Sequence, residues 1–379
     1  MISIFSNSLG KEEHHALEGV FASRWLGAGK ECSLFEEAFA RHLRVPAHNV
    51  LLLNSCTAAI YVGLKTLGVG PGDEVIIATV NFVACASAVL ELGATAVFAD
   101  VDQHTLNILP EEISRLKTPQ TKVVIILHYG GHPAPMAEII DACGPEIALF
   151  EDSANSVSST YDGQPCGTFG AAAVWSFDAM KILSMGDGGA LYLRNPVHTD
   201  IARSHRFLGL SGQTVSGKDA MAANRAKWWE YELDHLSGRF ISNDIAAAIG
   251  RVQLQRLSGF IETRKRIWAY YQQALADVSA LTLPPEPLPG CESSYYFYWL
   301  QMAPDQRDAL AHYLSSEGIY TTFRYFPLHL VARYNAGVQL PNAEWVNATT
   351  LNIPLHQNLT EADIDKIVAA IKTFFASLA

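Results

Sequence analysis

Between about residues 50 and 195, short apolar runs alternate with stretches of helical pattern. The runs are NVLLLNS (49–55), DEVIIA (73–78), ATAVFAD (94–100), KVVIILHY (122–129) and EIALFED (146–152), and helix-like segments at Cys56–Leu67, Ala84–Leu92 and Pro110–Leu116 separate them. Apolar runs of this length read as buried strands, and helices between them predict a mostly parallel sheet with crossover helices. Two more strands are expected at Ala171–Phe177 and Gly189–Leu193. Ligands of such sheets sit beyond the carboxyl ends of the strands, which directs attention to Asn54–Thr57, Thr79–Phe82, His128–His132 and Glu151–Asn155.

Beyond residue 195 the pattern changes. Residues 211–235 mix glycine, charge and aromatics without a sustained period, as a long functional loop does. Residues 242–276 read as helix, and LPPEPLPG (283–290) makes a joint before a smaller α+β unit. That unit holds strand-like YYFYWLQM, a helix over Pro304–Glu317, strand-like IYTTFRYF (319–326) and a last helix opened by a capping box of Thr360 and Asp363. The expected division is a large domain over 1–245 and a linking helix with a small domain over 246–379.

Composition narrows the class. With 379 residues, 49% hydrophobic and 17% charged, the chain can bury a sizeable core, and its net charge of −11 provides no basic stripe for nucleic acid. No apolar run approaches the roughly 18 residues of a membrane span, and the N-terminus lacks the pattern of a signal peptide. Six cysteines without a CxxC pair suggest free thiols rather than a disulfide framework or a zinc site. A cytoplasmic setting is expected.

Candidate chemistry gathers at the strand ends. Asp152 closes a buried strand, where an unpaired carboxylate is costly and calls for a cation; a helix cap or structural ion pair is the plainer alternative. Lys181 is either a solvated loop charge, the commoner case for a lysine in a loop, or a buried amine; it stands among Trp175, Phe177, Met180, Ile182, Leu183 and Met185, where desolvation is expected to depress its pKa and suit it to nucleophilic work. Ser55 and Thr57 with the amides of Cys56–Ala59 could cradle a phosphate at a helix N-terminus, although an N-cap needs only one hydroxyl. Ser176 could reach the same phosphate, and Phe82 could lie on a planar ring or belong to the core. A lysine for an imine, a carboxylate for a pyridine nitrogen, a phosphate cradle and a stacking aromatic are what pyridoxal 5'-phosphate (PLP) requires.

Order and spacing then bring the chain to a family. SCTAAI (55–60), PGDEVIIATVNFVA (71–84), FEDSANS (150–156), GTFGAAAVWSFDAMKILSMGDGGAL (167–191), AAAIGRVQLQRL (246–257), YFPLH (325–329) and LNIPLH (351–356) resemble the motifs of the DegT/DnrJ/EryC1/StrS aminotransferases. These are PLP-dependent sugar aminotransferases of fold type I, an α/β fold with a large mixed-sheet domain and a smaller α+β domain. The resemblance implies that Lys181 forms the internal aldimine and carries the proton shift, and that Asp152 keeps the pyridine nitrogen protonated. It further implies that Phe82 stacks on the ring and that Thr57, Ala58 and Ser176 bind the phosphate. Asn155 stands where the family has Gln or His toward the ring hydroxyl. LSGRFISNDIAAAIG (236–250) puts Arg239 where the family sends an Asn from the partner subunit to the phosphate, with Asn243 as the alternative.

The implied activity is ping-pong transfer of an amino group, through pyridoxamine 5'-phosphate, from L-glutamate to a nucleotide-linked keto-deoxysugar by a homodimer with shared active sites. His128, Tyr129, His132, the 205–235 loop, Tyr325 and His329 are the candidate sugar contacts. Three alternatives stand beside it: a same-fold dehydratase, disfavoured by Lys181 because relatives doing that chemistry carry His there; amination of a non-sugar ketone such as a cyclitol; and a PLP-binding regulatory protein, which an appended DNA-binding domain would support. A dinucleotide site at GVGPGD (68–73) fails because those glycines follow a helix and precede a strand.

Overall fold

A computed structural model describes residues 1–210, 232–334 and 336–378. Most of the loop singled out at 211–235 therefore lies outside the described residues.

The sheet is built on β4 (Thr121–Leu127), whose VVIIL core is buried on both faces. β1 (Val50–Leu53), β2 (Glu74–Ala78), β3 (Thr95–Ala99), β5 (Ala148–Asp152), β8 (Ala172–Ser176) and β9 (Gly189–Leu193) join it in the order β1-β9-β8-β5-β4-β2-β3. All neighbouring pairs are parallel except those made by β9, which runs against both β1 and β8. Such a sheet must be covered on both faces, which explains the continuous apolar runs. The cover comes from α2 (Lys30–Leu43), α3 (Cys56–Thr66), α4 (Val83–Glu91), α5 (Pro110–Leu116), α6 (Met136–Cys143) and α7 (Pro196–Arg206), with α1 (Lys11–Ser23) lying on α8 (Asp244–Leu275). A small hairpin, β6 (Thr160–Tyr161) and β7 (Gln164–Pro165), sits between β5 and β8.

Two apolar cores meet along α8. Its residues up to Phe260 pack into the large core, and from Ile267 onward they pack into the smaller one. The expected division at 245/246 thus falls at the start of a helix that serves both units. The smaller core encloses the antiparallel pair β10 (Tyr298–Gln301) and β11 (Thr350–Ile353) with α9 (Pro304–Ser316) and α11 (Glu361–Ala376), while α10 (Pro341–Thr349) contributes Ala343 and Val346 to the larger. The Thr360–Asp363 capping box is present. No helix among the described residues is long and apolar enough to cross a membrane, and all six cysteines are free.

One expected strand is absent. IYTTFRYF makes only single bridges, Ile319 to Ile2 and Thr322 to Asn352. Its amides are satisfied elsewhere: that of Arg324 donates to the Asn352 side chain at 2.8 Å, and beyond it the amide of Leu328 donates to the Thr79 carbonyl at 2.8 Å. The segment leaves the small sheet to meet the carboxyl end of β2 in the large one.

Candidate active site

The carboxyl ends of β1, β2, β5 and β8 converge on a cavity of about 560 Å³, lined among others by Thr57, Phe82, Asp152, Ser176, Lys181 and Tyr325. The strand-end rule therefore located it, and six of the residues chosen from sequence share one wall system.

Asp152 is the last residue of β5 and only 3% exposed. One of its oxygens accepts the Ala154 amide at 3.1 Å and the other the Cys85 thiol at 3.4 Å. No Lys, Arg or His makes an ion pair with it among the described residues, so burial holds its carboxyl above the usual range, with the amide, Lys181 and the thiol only partly offsetting this. A cationic N–H delivered by a ligand is the partner it lacks.

Lys181 follows β8, and its Nζ lies 4.8 Å from the ring centre of Tyr296. Desolvation acts to lower its pKa, as the apolar neighbourhood suggested. The Tyr296 and Tyr325 phenols, the Cys56 thiol and Asp152 outweigh desolvation and raise it above that of an ordinary lysine. The shift therefore runs opposite to the expected depression. The Tyr296 hydroxyl is buried and faces the Lys181 amine.

At the other end of the cavity, Ser55 caps α3 by accepting the Ala58 amide at 3.1 Å, which leaves Cys56 and Thr57 facing the space. Ala58, expected at the phosphate, does not line the cavity, because its amide serves the cap. β9 enters directly beneath this turn. A side chain at Gly189 would stand 2.4 Å from the Cys56 nitrogen, so only glycine fits there, while Gly186 makes the preceding turn at φ +83°. Phe82, the N-cap of α4, projects over the cavity half exposed and tilted against Tyr325. Asn155 is buried; its amide donates to the Tyr325 hydroxyl at 3.4 Å, and its Oδ1 has no partner among the described residues.

Four expected sugar contacts lie elsewhere. His128 is fully buried between Glu151 and the Ala134 amide. Tyr129 is fully buried and donates its hydroxyl to the Arg324 carbonyl. His132 packs against Trp299, and His329 bonds Thr79 Oγ1 at 2.8 Å. In each case the imidazole or phenol completes packing behind the strand ends, and of the five named residues only Tyr325 reaches the cavity. Arg239 bridges to Phe207 and lays its guanidinium over that ring, outside the cavity of its own chain. Asn243 is committed as the N-cap of α8.

Sequence reasoning missed Tyr296 and Arg324, both of which line the cavity. Each lay inside a run read as a strand, where alternation alone would have set its direction.

These features fit PLP: an amine, a buried carboxylate without an ion-pair partner among the described residues, a helix N-terminus with Thr57, and the Ser176 hydroxyl. Comparison with known proteins agrees. The chain is 44% identical over 365 residues to the dTDP-4-dehydro-2,3,6-trideoxy-D-glucose 4-aminotransferase of Saccharopolyspora spinosa, covering 96% of this chain and 94% of that one. It superposes on the aminotransferase TlmJ from Streptoalloteichus hindustanus with a TM-score of 0.94 at 44% identity, over the whole of both chains. Spr1654 of Streptococcus pneumoniae, provisionally assigned as a sugar aminotransferase and solved in a pyridoxamine phosphate form, superposes at 0.90 with 26% identity over the whole of both chains. The model of the DegT/DnrJ/EryC1/StrS aminotransferase family matches residues 7–372, and the chain belongs to that family.

Proposed function

We propose that this aminotransferase binds PLP and moves an amino group from an amino acid, L-glutamate, to the ketone of a nucleotide-linked deoxysugar. One observation carries the reading: Lys181 and the unpaired, buried Asp152 share one cavity with a helix N-terminus. The 44% identical relative is named for amination at the 4-position of a dTDP-linked trideoxy sugar, which favours a 4-keto substrate of that kind.

Bound PLP supplies an aldehyde to receive the amine and a pyridinium ring that withdraws electrons from the reacting carbon. Asp152 would hold the proton on the ring nitrogen, a task that suits it because no cation pairs with its oxygens among the described residues. Lys181 would carry the cofactor at rest and, once displaced by the donor amine, take a proton from the carbon on one side of the transferred nitrogen and return it to the carbon on the other side. Thr57, Ser176 and the first amides of α3 would hold the phosphate, where the helix dipole favours an anion. Phe82 would cover the ring, and Asn155 would turn its orphan oxygen toward the ring hydroxyl. Ala58 is left with no direct part, because Ser55 already takes its amide.

We infer a homodimer in a cytoplasmic setting. Arg239 would reach the phosphate of the partner's site, a role its position outside its own cavity permits. The domain division is proposed within α8, where the cores change over, rather than at its first residue.

The test is direct: purified protein is incubated with PLP, ¹⁵N-labelled L-glutamate and a dTDP-4-keto-deoxysugar. Mass spectrometry should find the label in an amino sugar and 2-oxoglutarate in equal amount. Labelled glutamate left unchanged across keto sugars and cyclitols alike would overturn the assignment.

A further inference from the structure

Arg324 lines the same cavity as Lys181, and its backbone is held from both sides by buried groups. Its amide donates to Asn352 Oδ1 at 2.8 Å, and its carbonyl accepts the Tyr129 hydroxyl. The Asn352 amide closes the triangle on the Tyr129 oxygen at 3.3 Å, and Tyr129 and Asn352 are both fully buried. Such a frame fixes the point from which the side chain starts.

The side chain is fixed as well, by partners that leave its charge unanswered. It lies over the Phe5 ring at 5.0 Å and donates to the Met180 sulfur at 3.3 Å. No carboxylate pairs with it among the described residues. The cavity does contain acids, but Asp178 and Asp187 accept the backbone amides of Met180 and Gly188. An arginine held against a ring and a thioether, with no carboxylate on it among the described residues, is suited to receive an oxyanion bidentately.

We infer that Arg324 binds the carboxylate of the amino-acid donor, an assignment that rests on the function proposed above. The cavity's charges require such a cation. Among the described residues, Lys181 and Arg324 are its two cationic side chains, against Asp152, Asp178 and Asp187. Once Lys181 is committed to the cofactor, Arg324 is the cation among the described lining residues that offsets the repulsion an incoming carboxylate meets. Its location favours the donor over the other oxyanion in the reaction, the nucleotide's diphosphate. It touches Met180, the residue next to Lys181, and the donor's α-carboxylate sits on the same carbon as the amine that displaces Lys181. The diphosphate lies a sugar ring further from the reacting ketone. Tyr129 then has a positioning role in place of the expected contact with sugar.

The test separates the two oxyanions. Single-turnover reaction of the PLP-loaded protein with L-glutamate is followed by absorbance, and dTDP affinity is measured by calorimetry. Arg324→Gln should lower the second-order rate constant for glutamate by roughly ten- to a hundredfold, the range for a hydrogen bond to a charged group. Arg324→Lys should recover part of the loss, and Tyr129→Phe should show a smaller one. PLP absorbance and dTDP affinity should match wild type in all three. An unchanged glutamate rate in Arg324→Gln overturns the assignment, and a fall in dTDP affinity alone would give Arg324 to the diphosphate. If wild-type protein holds PLP but is inert to glutamate, both the donor and this subsite fall while the cofactor stands; if it holds no PLP, the proposed function itself fails.

Discussion

His128 Nε2 and Glu151 Oε2 lie 3.2 Å apart with neither side chain exposed to solvent. Glu151 also accepts the amides of Gly167, Phe169 and Gly170 at 2.6 to 2.7 Å. The alternation of β5 sends Glu151 into the packing and its neighbour Asp152 into the cavity. The pair is therefore a staple that fixes the turn before β8, and thereby the approach to Ser176 and Lys181. Glu151→Ala should destabilise the protein by about 3–5 kcal/mol, the cost of orphaning the partners of a buried charge. Denaturant unfolding should register this loss, while KM for the keto sugar in the remaining folded enzyme stays near wild type. A changed KM with unchanged stability would return His128 to the substrate.

Asp152 should behave in the opposite way. Its folded-state pKa is raised by burial, so the stability it contributes is present below its unfolded pKa and is lost as pH rises through the folded value. At neutral pH, Asp152→Asn should therefore leave the cofactor-free protein as stable as wild type or more so, with the difference fading below about pH 4. The same substitution should lower kcat by about a hundredfold or more, as the loss of one preorganised electrostatic partner does. Thermal unfolding of cofactor-free protein at both pH values, with turnover alongside, checks both halves. A destabilised, fully active variant would contradict them.

The proposed sharing of sites between subunits has its own test. Lys181→Ala and Arg239→Ala should each be defective alone. Mixed in equal amounts and allowed to exchange subunits, they should recover about a quarter of wild-type activity, because half the dimers are hybrid and each hybrid has one intact site. No recovery, with exchange confirmed by native mass spectrometry, would place both residues in the same chain's site or remove Arg239 from it.

The sequence made the large sheet legible because β2, β4 and β5 are buried on both faces and so appear as unbroken apolar runs. Asp152 and Lys181 followed from the strand-end rule and the spacing of the family motifs. The histidines were misread for a physical reason: a polar side chain at a strand end points either into the cavity or back into the packing, and periodicity does not choose. His128, His132 and His329 all found their partners behind the strand ends. Arg324 escaped notice because YTTFRYF has the composition of a strand. Its amide bonds instead to the side chain of Asn352, a residue 28 positions away, which no local pattern reports.

The central claim is that Lys181 and Asp152 together hold PLP for amino transfer, and the absorbance spectrum of purified protein tests it most directly. Wild-type protein supplied with PLP should show a near-visible band that L-glutamate bleaches toward the pyridoxamine form, and Lys181→Ala should lack the wild-type band. A wild-type protein that stays colourless with PLP, or a Lys181→Ala variant with the wild-type spectrum and response, would contradict the account.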